Sequence, residues 1–476
     1  TFRVIQFIFL FNITLFAQWE SDVRQTNDPA VSFTTTNNAW CIASSLNALN
    51  IIWRDNRTGN YEIYCKQSAN GGINWGPDNR ITFNSSPKYS SCISASGVAL
   101  HIVWRDDRDG NGEIYYKRST DEGITWESDT RLSNNDSLSG EPCIKVSGSS
   151  VHVMWYDKRH GNYEIYYRHS SDGGITWGLE TRMSNTSANS YSPSIAIIDQ
   201  VVHVVWFEEA YAILYKRSTD DGSTWSTDAM LNTTICSPYH SCISASSQYV
   251  QVTWEEHHDG NAEIYWIGSS DAGISWSQEV RLTNNTAGSY RPSIAASGQN
   301  IHIVWWDNRD GNFEIYYKQS VDAGNNWGPD TRLTNNPFTS SDCEIIASNS
   351  TINVVWYDYR DGNSEIYYKR NPTGNLTGIQ TINSEMPDDF VLDQNYPNPF
   401  NPSTKIRFSV PKSSVISIEL SDITGRIISL IVQPKQFSAS VYEVDFDANL
   451  LATGIYFYSL YADGIKIETK KMILVK

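Results

Sequence analysis

The residues best equipped for chemistry in this 476-residue chain are those that break its own pattern. Glu208 and Glu209 follow Trp206, and Glu255, Glu256, His257 and His258 follow Trp254. Tyr239 and His240 precede Cys242, and Tyr290 and Arg291 precede Pro292. Carboxylates beside a tyrosine and an arginine suit a sugar, either cleaving it by acid–base chemistry or holding it. The catalytic candidates are therefore Glu208, Glu209, Glu255, Glu256 and Tyr239, and the ligand-binding candidates are His240, His257, Tyr290 and Arg291. The competing reading makes them solvated loop residues of an acidic surface.

A repeat must position these residues. Trp-x-[Asp/Glu] recurs at Trp53, Trp104, Trp155, Trp206, Trp254, Trp305 and Trp356, with spacings of 51, 51, 51, 48, 51 and 51. A second motif, Ser-x-[Asp/Asn]-x-Gly-x-x-Trp, ends at Trp75, Trp126, Trp177, Trp225, Trp276 and Trp327. Self-similarity at this period indicates a propeller or solenoid. One unit reads as four strands: Ser293–Ala296, then the alternating Ile301–Trp305, then Glu314–Lys318 after the turn Asp310-Gly311-Asn312, then Asp330–Thr334. Four antiparallel strands make one propeller blade. With 13% aromatic residues and many Gly, Ser, Thr and Asn, the chain reads as all-β.

The second motif, fullest in Ser170-Ser171-Asp172-Gly173-Gly174-Ile175-Thr176-Trp177, resembles the Asp box of bacterial neuraminidase (BNR) repeats, found in sialidases and other propellers. The resemblance implies structural roles for Asp121, Asp172, Asp220, Asp271 and Asp322, in turns away from the active site; Asn70 stands in this position in the first copy. Sialidase activity needs three arginines clamping a carboxylate, a Tyr–Glu nucleophile pair and an Asp acid. The family's Phe-Arg-Ile-Pro signature is absent. Only Arg291 is an arginine at the inter-blade loop position, where Lys88, Glu141, Ser192, His240 and Ser341 stand in or near the other copies.

The ends set the blade count. Seven Trp-x-acid motifs face six Asp boxes, and Trp19-Glu20-Ser21-Asp22-Val23-Arg24 matches Trp126-Glu127-Ser128-Asp129-Thr130-Arg131. The N-terminal segment is thus expected to supply the outer strand of the last of seven blades over residues 18–371, which hides the sheet edges. Sialidases resembling this repeat have six. Ahead of it, Arg3 and the apolar run Val4–Ala17 read as a secretory signal peptide over residues 1–17, cleaved near Ala17–Gln18, with Thr1 marking an incomplete start. No other run is long and apolar enough to span a membrane, so no membrane span is expected in the mature chain.

Residues 372–390 read as a polar linker. Beyond it, Leu392-Asp393-Gln394-Asn395-Tyr396-Pro397-Asn398-Pro399-Phe400-Asn401-Pro402, Leu420–Arg426, Gly454–Tyr458 and Lys470–Lys476 resemble the C-terminal sorting domain of type IX (Por) secretion cargo. The resemblance implies a small Ig-like β-sandwich over residues 391–476, recognition by the type IX translocon, and a secreted or cell-surface location in a Gram-negative bacterium.

Other features carry less. The net charge of −17 argues against nucleic-acid binding. Cys41, Cys92, Cys143, Cys242 and Cys343 read as one inner-strand position that takes Ser194 and Ser293 in other copies, a packing site near the axis. Cys236–Cys242 is the one locally plausible disulfide, and no spacing suggests zinc. Asp-x-Arg in the hairpins (Asp55/Arg57 through Asp358/Arg360) and [Asp/Glu]-x-Arg in the fourth strands read as structural ion pairs, missing together in blade four at Ala210 and Met230. The hairpin Asp107–Glu113 departs from calcium-loop spacing because Arg108 takes a ligand position. No metal and no cofactor are expected.

The expected fold is thus a seven-bladed β-propeller followed by a small sandwich. The expected role is a secreted glycan-binding or surface-ligand-binding module. The alternatives are a sialidase-like glycoside hydrolase or lyase using blade four to six carboxylates, and a structural surface or adhesion protein. An enzyme predicts one deep pocket with two carboxylates roughly 5–9.5 Å apart.

Overall fold

The computed structural model describes residues 19–34, 40–209, 212–233, 238–257, 260–348, 351–372, 374, 380–383, 387–401, 403–437, 439–448 and 451–475. The expected signal segment lies outside these. The described residues form strands and turns; no helix among them is long and apolar enough to cross a membrane.

Blade six shows the unit. Ser289–Ser297, Asn300–Asp307, Glu314–Ser320 and Thr331–Arg332 pair antiparallel in that order from the axis outward. The second strand is not half exposed, as its alternation suggested. Ile301, His302, Ile303, Val304 and Trp305 are all buried, because both faces of a blade pack against neighbours. Among the described residues seven such sheets occur, and the innermost strands adjoin in sequence order, with Ser340–Ser348 returning to Ile42–Ser44. The hydroxyls of Ser44 and Ser348 meet there at 2.9 Å.

The repeated tryptophans explain the period. Trp53, Trp104, Trp155, Trp206, Trp254, Trp305 and Trp356 are fully buried, and six donate Nε1–H to the acid two residues on, as Trp254 does to Glu256 at 2.8 Å. Asp-box tryptophans pack edge-on against the preceding blade: Trp177 on Tyr116 at 4.9 Å, Trp225 on Tyr167 at 5.1 Å. Blade seven has no Asp box to offer one to blade six, and Trp19 fills the equivalent place on Tyr317 at 5.0 Å. Val23–Arg24 then pairs with Tyr367–Tyr368, so the N-terminal segment is the outer strand of the last blade.

Each inner strand of blades two to seven carries a bulge near its start. Its left-handed residue is Ser90, Glu141, Ser192, His240, Arg291 or Asp342, with φ between 45 and 50°. Blade one differs. Ser32–Phe33 and Ile42–Ser44 both pair with Leu49–Asp55, and the longer intervening segment brings Trp40 over Lys145, Nζ 3.3 Å from the ring centroid. Trp40 and Lys145 line an axial cavity of about 230 Å³ with Ile42, Ser94, Ser244 and Ile346.

The C-terminal residues build two four-stranded sheets around Leu392, Ile406, Phe408, Ile418, Leu420, Tyr458 and Met472. The stretch expected as linker is not wholly irregular: Gln380–Asn383 pairs with Val441–Glu443 as an edge strand of one of them.

Candidate ligand-binding site

The hairpins joining second to third strands and the bulges of the inner strands share one face. At its axial mouth Glu255, with a side chain 5% exposed, gathers three groups. His257 Nε2 lies 2.7 Å from Oε1, the Arg291 amide donates to Oε2 at 2.9 Å, and His240 Nδ1 lies 3.3 Å from Oε2. Burial alone would raise the Glu255 carboxyl; His240, His257 and the Arg291 amide overcome it and hold the group at about 2. The same contact with Glu255 raises His257, which is 41% exposed. Arg291 Nη1 reaches Asp342 Oδ1 at 2.9 Å. Across the mouth, burial pushes Glu141 up, while His240, the Ser192 amide at 3.2 Å and Arg291 draw it down.

Aromatic rings rim this cluster. Tyr239 meets His257 edge-on at 5.4 Å and Phe207 at 5.0 Å; Tyr290 stacks on Trp306 at 4.8 Å. The arrangement offers cationic donors beside flat apolar faces, the combination a polar ring ligand needs.

Of the predicted site residues, Tyr239, His240, Glu255, His257, Tyr290 and Arg291 come together. Glu208 and Glu256 do not. Both occupy the buried acid slot of Trp-x-[Asp/Glu], filled elsewhere by Asp55, Asp106, Asp157, Asp307 and Asp358. Glu209 turns to Asn189, whose Nδ2 donates to it at 2.7 Å. His258 and Ala210 lie outside the described residues.

Two members of the cluster were misread, for one reason. Cys343 does not share the slot of Cys41, Cys92, Cys143 and Cys242; Glu344 does, pairing with Val355 as Cys143 pairs with Met154. The offset of one residue hid Asp342 as the bulge residue and put Ser341 in its place. Lys88 is likewise not at the bulge: it is fully buried, its Nζ 2.7 Å from Asn84 Oδ1 and 3.5 Å from Asp106. The slot itself needs an acceptor. Ser194 Oγ accepts the Ile243 amide at 3.2 Å and Ser293 Oγ the Ile345 amide at 3.3 Å, and the thiols of Cys92 and Cys242 take the Ile144 and Ile294 amides. Glu344 accepts from Ser293 Oγ at 2.8 Å, and burial raises it to about 8. Cys242 is a free thiol, and Cys236, its expected partner, lies outside the described residues.

The remaining charged motifs serve the frame. Arg57 bridges Asp55 and Asp78 of its own blade at 2.6 and 2.8 Å, and Arg80 binds Glu62 at 2.9 Å. In blade four the strand-four arginine is Met230, and its third-strand acid is lost too, as Ala212. Asp107 binds Arg105 at 2.9 Å, and Asp109 lies 3.3 Å from Arg131. On the opposite face each Asp box closes its turn: Asp121, Asp172, Asp220, Asp271 and Asp322 accept the amide four residues on at 2.8–2.9 Å. Asn70 does the same at 2.8 Å. Gly174, at φ 83°, is required because a Cβ there would stand 1.9 Å from the Tyr116 hydroxyl.

Residues 98–303 match the BNR repeat-like domain, and residues 394–476 match the secretion system C-terminal sorting domain. No curated protein matches the chain. Among solved structures, the polysaccharide lyase Uly1 aligns with TM-score 0.50 at 9% identity, covering 74% of this chain and 99% of that one. A protein of unknown function from Dyadobacter fermentans aligns with TM-score 0.48 at 10% identity, over 74% and 98%. Trypanosoma rangeli sialidase aligns with TM-score 0.43 at 11% identity, over 94% and 89%. At such identities the likeness is one of fold. The chain thus carries a BNR repeat-like domain within its propeller and a secretion system C-terminal sorting domain at its end, the mark of export to the cell surface or beyond.

Proposed function

We propose that the propeller is an extracellular binding module and that its axial mouth on the hairpin face holds a glycan. One observation carries this reading: Glu255 spends its lone pairs on His257 and the Arg291 amide, with His240 Nδ1 3.3 Å from Oε2. A carboxylate so occupied, and ionised down to about pH 2, is a poor proton donor. It is a good anchor for imidazoles set between Tyr239 and Tyr290. His257, when protonated, favours sugars that carry a carboxylate or sulfate. Within this reading residues 18–371 bind, residues 391–476 are read by the type IX translocon, and residues 1–17 are a cleaved export signal.

A second reading rests on the same contact. An imidazole held by a buried carboxylate is also placed to move a proton, which would make the site that of a glycan lyase or hydrolase. A glycan array probed with the mature chain, run beside turnover assays on the bound glycans, separates the two. Binding without turnover supports the module. Turnover that is lost in His257→Ala supports the enzyme and overturns the module. Silence in both assays overturns both and leaves a structural surface protein.

A further inference from the structure

We propose that His152, His169 and Asp221 form a divalent-metal site, suited to Zn(II), that clamps blade three to blade four on the Asp-box face. His152 on the second strand and His169 on the third are direct cross-strand partners, and their rings stack at 4.5 Å. Asp221 comes from the Asp-box turn of the next blade. His152 Nε2 lies 3.2 Å from Asp221 Oδ1 and His169 Nε2 lies 3.3 Å from Oδ2. One ligand atom from each of the three lies within 4.8 Å of the other two. Tetrahedral bonds of about 2.0–2.1 Å put ligand atoms roughly 3.3 Å apart, so the two contacts have the spacing of a coordination shell.

The second observation is unspent polarity. The His152 side chain is 0% exposed, yet its Nε2 has no hydrogen-bond partner. The same is true of His169 Nε2 and Asp221 Oδ1, although the contacts are short. Orphaned buried polar atoms of three ligand types, converging on one point, are costly unless something sits between them. The outer contacts also fit. Tyr167 holds His152 by Nδ1 at 2.7 Å, and the Ser150 hydroxyl donates to Asp221 Oδ2 at 2.6 Å. Such partners fix ring and carboxylate orientation in metal sites. Side chains of His169 and Asp221 remain 23% and 24% exposed, so a metal and a fourth ligand can enter from solvent.

Sister junctions show what has been replaced. Arg118 donates to Gly173 O at 2.7 Å, Arg217 to Ala272 O at 3.0 Å and Arg370 to Gly71 O at 2.8 Å. His169 stands in the Arg position and Asp221 in the Gly or Ala position, so at this junction a blade-to-blade hydrogen bond has given way to two potential ligands. The His–Tyr pair recurs at His101, His203 and His302, but without those two ligands it makes no such group among the described residues.

The test is titration of the untagged, metal-stripped mature chain with Zn(II) and Co(II). The sister blades supply variants already compatible with the fold: His169→Gln, as at Gln319, and Asp221→Ala, as at Ala272. The expected result is one metal per chain, a tetrahedral Co(II) spectrum, a Zn(II)-dependent rise in Tm, and at least tenfold weaker binding in each variant. Absence of uptake by the parent chain overturns the proposal, as does uptake unchanged in either variant. Metal-free Tm values for all three chains show that the variants are folded.

Discussion

Arg360 Nη1 stands 2.7 Å from Asp22 Oδ2, a contact between residues 338 positions apart that ties the last hairpin to the start of the Val23–Arg24 strand. Lys369 Nζ takes the other oxygen at 2.9 Å, and Arg370 binds Glu20. In blades one, two, three and six the hairpin arginine makes this contact to an acid beside its own outer strand; here the acid arrives from the far end of the chain. Asp22→Asn should cost about 1.5 kcal/mol, the low end for a charged hydrogen bond because each side chain keeps about a fifth of its surface in water. Chemical denaturation measures it. Deleting residues 19–26 should cost far more and leave the Tyr367–Tyr368 strand as an open edge, read as aggregation in light scattering.

The Glu255 cluster makes a prediction in pH. Its carboxyl is depressed in the folded chain relative to an ordinary value of about 4.3, so its stabilising contribution is complete above that value. It is lost as pH falls towards 2. His257 is raised, so its contribution is present below its unfolded value and lost as pH rises through the folded one. Between pH 4.5 and 2 the parent chain should therefore lose stability relative to Glu255→Gln. Parallel acid-unfolding curves for the two would contradict the assignment.

The axial cysteines should be inert and replaceable in one direction only. Burial pushes the Cys92 and Cys242 thiols up to about 12, so thiol reagents should reach them only on unfolding. Cys92→Ser keeps an acceptor for the Ile144 amide, as Ser194 does for Ile243, and should leave Tm nearly unchanged. Cys92→Ala orphans that amide and should cost about 1–3 kcal/mol.

The frame was legible in the sequence because packing imposes the repeat. A tryptophan that fills one blade must recur wherever a blade does, and Trp19 betrayed the closure. The site was only partly legible. Glu208 and Glu256 looked irregular beside runs of Asp, yet they fill the same buried slot. Asp342 was hidden because Cys343, one position before the cysteine slot, imitated that slot and shifted the reading by a residue. Asp221 carries no signal of its own in the sequence; only folding brings it to His152, 69 positions back, and to His169.

Not every conspicuous acid should matter for binding. Asp271 lies on the opposite face and serves its own turn, accepting the Ser275 amide at 2.9 Å. Asp271→Ala should loosen that turn, seen as faster amide exchange at Ser275, and leave ligand affinity unchanged.

The most direct test of the central claim is calorimetric titration of an array-identified glycan into the mature chain and into His257→Ala, Arg291→Ala and Asp271→Ala. An axial mouth that binds sugar predicts at least tenfold weaker binding in the first two variants and parent affinity in the third. Parent affinity in both mouth variants would contradict it and place the ligand elsewhere on the propeller.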